Sequence, residues 1–276
     1  GFNKYGIASN YSLFKADYAI SYNEEKWLDY FENSDSQKRS AKAKLKFSNG
    51  LLRSQLTANY MKREMGVPFD AFGYPSAKAR QYDENISAGI SETIELDFMS
   101  VKIDGFLRSA DLRFKDPLSY IPQDSRNIKK QYNASLLGIY SENSAVSVSA
   151  GYEADVREVD GNMTGKKSVF NNAAISNVSV SLFNEALTAF AGGRVDINSQ
   201  FGTYASENVS VKYRFQDGLE LNGSFDKSFA APNFGQLYWP QTVDVYGNTT
   251  YIMTGDAGLK PEEFTTFEAG LSKKQD

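Results

Sequence analysis

Residues 224–271 read SFDKSFAAPNFGQLYWPQTVDVYGNTTYIMTGDAGLKPEEFTTFEAGL, and they describe a strand, a long loop and a second strand. The alternating segment Leu219–Phe229 ends at Ala231-Pro232, because proline cannot donate a hydrogen bond to a neighbouring strand. An aromatic-rich loop follows, and polar and apolar residues alternate again after Lys260-Pro261. The stretch therefore predicts two β-strands separated by an unusually long connection.

The same period-two alternation recurs along the whole chain, whereas no helical stripe lasts beyond about two turns. In Ser40–Ser48 one face carries Ser and Lys and the other carries Ala, Leu and Phe, and Asn49-Gly50 then signals a tight hairpin. These patterns predict an all-β protein of about thirteen strands, roughly at 4–13, 18–27, 39–48, 51–63, 82–92, 97–112, 130–141, 144–157, 169–182, 187–197, 204–216, 219–230 and 262–272.

The connections between these strands alternate strictly between short and long. The short ones fall at Phe14–Asp17, Asn49-Gly50, Thr93–Leu96, Glu142-Asn143, Asn184–Ala186 and Asp217-Gly218, and the long ones at 28–38, 64–81, 113–129, 158–168, 198–203 and 231–261. A soluble β-sandwich has no reason for this asymmetry. Transmembrane barrels do, because their periplasmic turns are tight and their extracellular loops are long. The predicted fold is an antiparallel transmembrane β-barrel, with residues 1–276 as one unit.

Aromatic residues support this interpretation. They lie next to the predicted short turns at Phe14, Phe47, Phe98, Phe183 and Phe215, and next to the long loops at Trp27, Tyr60, Phe114 and Phe229. Two such sets are typical of the girdles at the two membrane interfaces. A mean hydropathy of −0.47 is compatible with a barrel, because the lumen-facing half of each strand is polar.

Composition narrows the possible functions. The chain has no histidine and no cysteine, which excludes His general bases, Ser-His pairs, thiolate nucleophiles and His- or Cys-ligated metals. We therefore predict that the protein is not an enzyme. Its net charge of −4 argues against a nucleic-acid partner, which requires a basic surface. No run of about 18 apolar residues is present, so no membrane helix is predicted.

The long-loop stretch and its flanks carry a specific motif. A run of the form S-x-x-x-S-x-x-A-P-x-x-x-Q-L-Y is followed by G-D-x-x-L-x-P-E and a later Glu, at Ser224, Ser228, Ala231, Pro232, Gln236, Leu237, Tyr238, Gly255, Asp256, Leu259, Pro261, Glu262 and Glu268. The upstream run 196–202, DINSQFG, supports the same family resemblance. Over about the last third of the chain, the sequence resembles TonB-dependent outer-membrane receptors, in particular their cobalamin-transporter branch.

This resemblance implies capture of a scarce nutrient at the surface of a Gram-negative bacterium. The substrate class it implies is cobalamin or another corrinoid first, and a ferric siderophore or haem second. It further implies contact with outer-membrane lipid and lipopolysaccharide, and import energy supplied by the TonB complex through a plug domain. No plug or coupling segment is found in this chain.

The predicted ligand-binding residues lie in the two most aromatic loops. Aromatic planes beside amide groups suit a flat, polar-rimmed ligand. We predict ligand contacts for Phe69, Phe72, Tyr74, Asn233, Gln236, Tyr238 and Trp239. The alternative is that these loops pack on one another and on lipopolysaccharide.

Acidic residues lie near one another in sequence at Asp70, Asp83 and Glu84, and again at Asp155 and Asp160. The resemblance suggests that calcium could order the loops, but the spacing of a calcium loop with about six to eight oxygen ligands is absent. We therefore expect solvated carboxylates, no resident cofactor and no metal site, with loop calcium as the open alternative.

Two other functions share part of this pattern. A passive porin would have the same barrel, but it should carry an inward-folded constriction loop with opposed charge clusters, which we do not find. A β-rich surface-binding protein that does not transport would alternate polar and apolar residues, but it would not alternate short and long connections.

The alternation also predicts which way side chains face. Lipid should meet Ala41, Leu45, Phe47, Val209, Val211, Tyr213, Leu221 and Phe225, and the lumen should receive Lys42, Lys44, Lys46, Lys212, Arg214 and Glu220. A cation on the lipid face costs roughly 2–4 kcal/mol at the bilayer midplane. We further expect an incomplete barrel, because transporters of this kind use about 22 strands. The strands near Tyr5 and Phe267 should therefore not pair with each other.

Overall fold

The computed structural model describes residues 1–69, 74–119, 123–142, 145–216, 218–246 and 249–273. Residues Asn143 and Asp217 of two predicted turns lie outside these ranges. The elements in chain order are β1 (Phe2–Leu13), β2 (Ala16–Trp27), β3 (Ser36–Ser48), β4 (Leu52–Gly66), β5 (Arg80–Glu95), β6 (Met99–Asp116), β7 (Gln123–Glu142), β8 (Val146–Gly161), β9 (Gly165–Leu182), β10 (Leu187–Asn198), β11 (Gly202–Arg214), β12 (Leu219–Ala230), α1 (Phe234–Tyr238), β13 (Thr242–Tyr246), β14 (Thr249–Met253) and β15 (Glu262–Lys273).

Thirteen of these strands form one sheet, in which β1 to β12 follow in chain order and β15 comes last. β13 and β14 form a separate two-stranded sheet. The predicted all-β architecture and strand number are confirmed, and the strands near Tyr5 and Phe267 stand at the two ends of the order. Among the described residues, no helix is long and apolar enough to cross a membrane.

The chain divides into two compact units, which we describe separately. Unit 1 comprises Gly1–Glu92, Asp104–Asn133 and Val156–Ser168, and unit 2 comprises Thr93–Ile103, Ala134–Asp155 and Val169–Asp276. The organisation of residues 1–276 as a single unit stays a prediction.

In unit 1, the register of β2, β3 and β4 separates apolar from charged side chains. Leu45 pairs with Tyr18 on β2 and with Leu56 on β4, whereas the adjacent Lys44 pairs with Thr57. Directly paired residues share a face, and successive residues alternate between faces. The predicted separation is therefore confirmed here for Ala41, Leu45 and Phe47 on one face and Lys42, Lys44 and Lys46 on the other.

Unit 2 repeats this arrangement along β10, β11 and β12. Val209 pairs with Ala191 and Phe225, and Lys212 pairs with Thr188 and Asn222. The apolar face thus collects Val209, Val211, Tyr213, Leu221 and Phe225, and the polar face collects Lys212, Arg214 and Glu220. Contact of the apolar face with lipid stays a prediction.

Several strands are longer than the sequence predicted. β6 and β7 continue through most of the predicted loop 113–129 and leave only 117–122 between them, and β8 and β9 leave only 162–164. The predicted long connection 198–203 is likewise only 199–201. The strict alternation of short and long connections is therefore wrong between β8 and β9 and between β10 and β11. The added residues form strand because ion pairs hold them: Arg113 Nη2 lies 2.7 Å from an oxygen of Asp124. Such charged segments show no apolar alternation in the sequence.

The loop predicted over 231–261 also contains structure that the sequence did not predict. Phe234–Tyr238 forms the short helix α1, and Thr242–Tyr246 pairs with Thr249–Met253 as an antiparallel hairpin. The loop is therefore folded over much of its length.

Candidate functional site

In unit 1, two connections are joined by one buried side chain. Asn33, which is 8% exposed, lies between β2 and β3, and its Nδ2 donates to the carbonyl oxygens of Ser76 and Ala79 at 2.8 Å each and of Val67 at 3.2 Å. All three carbonyls belong to the connection between β4 and β5. A buried carbonyl without a partner is costly, so this amide stabilises both connections together.

Close backbone packing and an ion pair reinforce this junction. A Cβ built on Gly66 would lie 2.6 Å from the carbonyl carbon of Asn33, so only glycine fits. The Gly66 amide donates to the Asp35 carbonyl at 2.8 Å. Arg80 donates to the carboxylates of Asp35 and Glu64, and this hydrogen bonding lowers the pKa of the Asp35 carboxyl.

The start of the next connection is tied to the same segment. Asp116, only 2% exposed, accepts a hydrogen bond from the Ser76 hydroxyl at 3.0 Å. Its other oxygen accepts from the backbone amides of Leu118 and Ser119 at 3.1 Å each. These hydrogen bonds satisfy both oxygens of the buried carboxylate, and they fix the segment around Ser76 to the end of β6.

These fixed connections present aromatic rings to solvent. Tyr30, Phe31, Phe69 and Tyr74 are 88%, 57%, 47% and 70% exposed. Phe31 packs against Tyr30 with ring centroids 4.8 Å apart and against Phe69 at 6.5 Å. Exposed aromatic groups held on an ordered backbone suit contact with a ligand. We call Tyr30, Phe31, Phe69 and Tyr74 the aromatic patch.

The aromatic patch differs in part from the prediction. Phe69 and Tyr74 were predicted to contact ligand, and Phe72 lies outside the described residues. Tyr30 and Phe31 were missed, although they are aromatic residues inside the predicted long loop 28–38. The signal that could have identified them is this pair of adjacent aromatics in a connection with few apolar residues.

Unit 1 also has a charged cavity of about 270 Å³, lined by Lys62, Arg63, Tyr82, Asp83, Glu84, Asp111, Arg113, Lys115 and Arg126. Arg126 Nη2 donates to Asp111 at 2.5 Å. Arg113 donates to the two oxygens of Asp124 at 2.9 and 2.7 Å. Since both of these arginines already bind carboxylates, the cluster serves first to join β6 to β7.

In unit 2, the predicted residues Asn233 and Gln236 form a helix cap. The side-chain oxygen of Asn233 accepts a hydrogen bond from the backbone amide of Gln236 at 3.0 Å. In return, the side-chain oxygen of Gln236 accepts one from the backbone amide of Asn233 at 2.8 Å. This reciprocal capping box satisfies two amides that the helix leaves unpaired. It explains locally why an Asn and a Gln three residues apart begin α1.

The segment after β14 returns onto this helix. The amide of Gly255 donates to the Trp239 carbonyl at 2.9 Å, and the amide of Asp256 donates to the Gln236 carbonyl at 2.9 Å. A Cβ on Gly255 would lie 2.7 Å from the Tyr238 nitrogen, so this approach requires glycine. The Gly-Asp pair of the motif therefore fastens the two ends of the long loop together.

Gln200, in the connection between β10 and β11, contacts both ends of that loop. Its Oε1 accepts from the Tyr238 hydroxyl at 2.5 Å, and its Nε2 donates to the Ala257 carbonyl at 2.9 Å. The side-chain oxygens of Asn233 and Gln236 and the hydroxyl of Tyr238 thus have partners within the protein. Trp239 is 37% exposed. Ligand binding by these four predicted residues stays a prediction.

A chain of polar contacts continues from Gln200 into the strands of unit 2. Asn198 Oδ1 accepts a hydrogen bond from the backbone amide of Gln200 at 2.9 Å, and Asn198 Nδ2 donates to Asn171 Oδ1 at 3.1 Å. Asn171 then donates to Asp196 at 2.7 Å, and Asp196 pairs with Arg194. Asp196 and Asn198 are 3% and 8% exposed, so these contacts are shielded from water.

The acidic residues named in the sequence have varied surroundings. Asp83 and Asp155 are 6% and 2% exposed, so the expectation of solvated carboxylates is wrong for these two residues. Asp83 accepts hydrogen bonds from Arg63 and Gln81. Asp70 lies outside the described residues. Within the parts of the chain that the structure describes, no group of three or more Asp or Glu is placed to hold a metal ion. Loop calcium stays a prediction.

Comparison with known proteins adds to this geometry. Residues 1–275 match the family model described as TonB dependent receptor-like, β-barrel. The vitamin B12 transporter BtuB of Vibrio vulnificus is 27% identical over 130 residues, which are 46% of this chain and 19% of that protein. BtuB of Photobacterium profundum is 30% identical over 79 residues, which are 29% of this chain and 11% of that protein.

A similar fold is seen in the crystal structure of the siderophore receptor PirA from Pseudomonas aeruginosa. It matches with a TM-score of 0.80 at 12% identity, over 100% of this chain and 49% of that one. The chain therefore spans about half the length of that receptor, and only a fraction of the two B12 transporters.

The predicted resemblance is confirmed by these comparisons. TonB-dependent receptor β-barrels are outer-membrane proteins of Gram-negative bacteria, and they are receptors and transporters and not enzymes. Because the match extends over residues 1–275, this chain belongs to the TonB-dependent receptor-like β-barrel family.

Proposed function

We propose that the receptor containing this chain binds a scarce nutrient at the cell surface and imports it with energy from the inner membrane. The observation that carries this proposal is the aromatic patch, which lies on connections that Asn33 and Asp116 fix in place. Contiguous exposed apolar groups often mark an interaction site, and an ordered backbone reduces the entropy lost when a ligand binds.

The substrate class we propose is cobalamin or another corrinoid. Two B12 transporters share 27% and 30% identity with segments of the chain, and aromatic planes suit a flat macrocycle. A ferric siderophore or haem is the alternative substrate, because the siderophore receptor PirA shares the fold.

We further propose that the apolar face of the sheet meets outer-membrane lipid and lipopolysaccharide. In unit 2 this face presents Val209, Val211 and Leu221, which are 45%, 47% and 49% exposed. Lipid would cover such a row of exposed apolar side chains. We propose that the TonB complex, acting through a plug domain, supplies the energy for import.

The test uses the full-length receptor in cells. Phe31→Ala combined with Phe69→Ala should lower the affinity for labelled cobalamin by about tenfold or more, because each aromatic contact contributes about 0.5–1.5 kcal/mol. Phe14→Ala is the matched control: Phe14 is 98% exposed and lies on the turn between β1 and β2. That variant should bind normally.

Competition separates the substrates. Unlabelled cobalamin should displace the label, while haem and a ferric siderophore should not. Saturable binding of haem or a ferric siderophore, with none of cobalamin, would replace the corrinoid proposal. If Phe14→Ala and the double variant lose the same affinity for cobalamin, the aromatic patch has no role in binding. Uptake of all small solutes without saturation would indicate a passive porin.

A further inference from the structure

Two sequence runs that lie more than thirty residues apart meet at one side chain of unit 2. Gln200 belongs to the run DINSQFG, and Tyr238 and Ala257 belong to the two ends of the long loop. We propose that Gln200 is a positioning residue that clamps the two ends of this loop and so sets how Trp239 is presented to ligand. The part concerning ligand rests on the proposed function, whereas the clamp itself does not.

The chemistry of the clamp requires an amide. Gln200 accepts from the Tyr238 hydroxyl through Oε1 and donates to the Ala257 carbonyl through Nε2. A carboxylate of the same length could accept from the hydroxyl but could not donate to the carbonyl. An apolar side chain of the same length could do neither. Each of the two bonds can therefore be removed separately.

The clamp is itself held firmly. The Gln200 backbone amide is fixed by buried Asn198, and Asn198 is bonded to Asn171. Asn171 donates to Asp196, which Arg194 holds with two hydrogen bonds at 2.9 Å. Side chains that are locked by further hydrogen bonds can position a neighbouring group with little loss of entropy.

What the clamp positions is the backbone on either side of Trp239. The Trp239 amide donates to the Gly235 carbonyl at 3.0 Å, and the Trp239 carbonyl accepts from Gly255 at 2.9 Å. The preceding residue, Tyr238, is held by Gln200, and Ala257 follows Gly255 by two positions. Loss of the clamp should therefore release the return segment 255–259 from α1 and free the indole to reorient.

The first arm of the test needs no ligand. In the full-length receptor, hydrogen exchange of the amides of Gly255 and Asp256 reports whether the return segment lies on α1. Gln200→Met should speed their exchange about thirtyfold, since two hydrogen bonds of about 1 kcal/mol each are lost. Gln200→Glu and Tyr238→Phe should each give a smaller increase, and Tyr238→Phe should add nothing to Gln200→Met.

The matched control is Gln241→Met, which changes an exposed glutamine in the same loop. It should leave exchange unchanged. The clamp would be overturned if the Gly255 and Asp256 amides exchange at the unsubstituted rate in both Gln200→Met and Tyr238→Phe. It would also be overturned if Gln241→Met speeds their exchange as much as Gln200→Met does. Tyr238→Phe, which loses only a hydroxyl, keeps the test decisive if Gln200→Met fails to assemble.

The second arm uses cyanocobalamin as the probe. Gln200→Met and Trp239→Ala should each weaken binding, and the double variant should bind no more weakly than Trp239→Ala alone, because the clamp acts through the indole. Additive losses would overturn the positioning role while leaving the clamp intact. A receptor that does not bind cyanocobalamin contradicts the proposed corrinoid function, and the exchange arm still decides the clamp.

Discussion

The side chain of Asn33 donates a hydrogen bond to the backbone carbonyl of Ser76 at 2.8 Å, across 43 positions of sequence. Asn33 also adopts a φ of +60°, in the left-handed region that few residues tolerate. Asparagine suits both requirements at once, because it enters this region more readily than other residues and offers an amide donor. One side chain of unit 1 therefore joins two connections.

These two roles of Asn33 can be separated by substitution. Asn33→Gly keeps the backbone conformation and removes the amide, so it should destabilise the junction by about 1–3 kcal/mol. Asn33→Ala should cost about 1 kcal/mol more, because alanine is strained at positive φ. Local stability is measured by hydrogen exchange of the Val67 and Ser76 amides. If Asn33→Gly exchanges like the unsubstituted protein, the amide has no stabilising role.

The Asp35–Arg80 pair predicts a pH dependence. The hydrogen bonds from Arg80 hold the pKa of the Asp35 carboxyl below its ordinary value. A carboxyl with a lowered pKa contributes its stability above the ordinary value of about 3.9, and loses it as the pH falls through the lower folded value. The pair is partly exposed, so the contribution should be about 1 kcal/mol or less.

Asp35→Asn should therefore reduce the exchange protection of the Gly66 amide at pH 7, since that amide donates to the backbone carbonyl of residue 35. The difference from the unsubstituted protein should shrink as the pH is lowered below about 4. A difference that is constant from pH 7 to pH 3 would show that the ion pair does not stabilise this junction.

Gly66 tests the close approach of the backbone in the same place. Gly66→Ala should destabilise the junction by about 1–3 kcal/mol, because the added methyl group meets the backbone of Asn33. The control is Gly223→Ala, where the nearest atom to the new Cβ is the Glu268 carbonyl oxygen at 3.6 Å. Unfolding in denaturant should distinguish the two variants, and equal stability would show that the junction can open to admit a side chain.

The strands could be predicted from sequence wherever one face is apolar. In β3 and β11 the alternation of Lys with Ala, Leu or Val marks both the strand and its two faces. β7 shows where this reasoning fails, since it begins at Gln123 and not near residue 130. Arg126 and Asp124 are held there by Asp111 and Arg113, and neither face is apolar. Hydrophobic periodicity carries no information about such a segment.

The residues of the candidate site were only partly predictable, for a related reason. The motif drew attention to Asn233, Gln236 and Tyr238 because amides and hydroxyls suit a ligand. In the structure the side-chain oxygens of Asn233 and Gln236 accept from backbone amides, and the Tyr238 hydroxyl donates to Gln200. A sequence shows which polar groups are present but not which are already satisfied, and short helices such as α1 have too little periodicity to be recognised.

The two faces of β11 allow a direct test of the membrane interpretation. Val211 lies on the apolar face, paired with Ala189 and Gly223, while the adjacent Ser210 lies on the polar face. Val211→Lys should cost roughly 2–4 kcal/mol if that position is near the bilayer midplane, because the cation would face hydrocarbon. Ser210→Lys adds the same charge one residue away and should be tolerated. Assembly of the full-length receptor is read from heat-modifiable migration in detergent gels. The folded band should be diminished for Val211→Lys and normal for Ser210→Lys, and the reverse pattern would place the apolar face away from lipid.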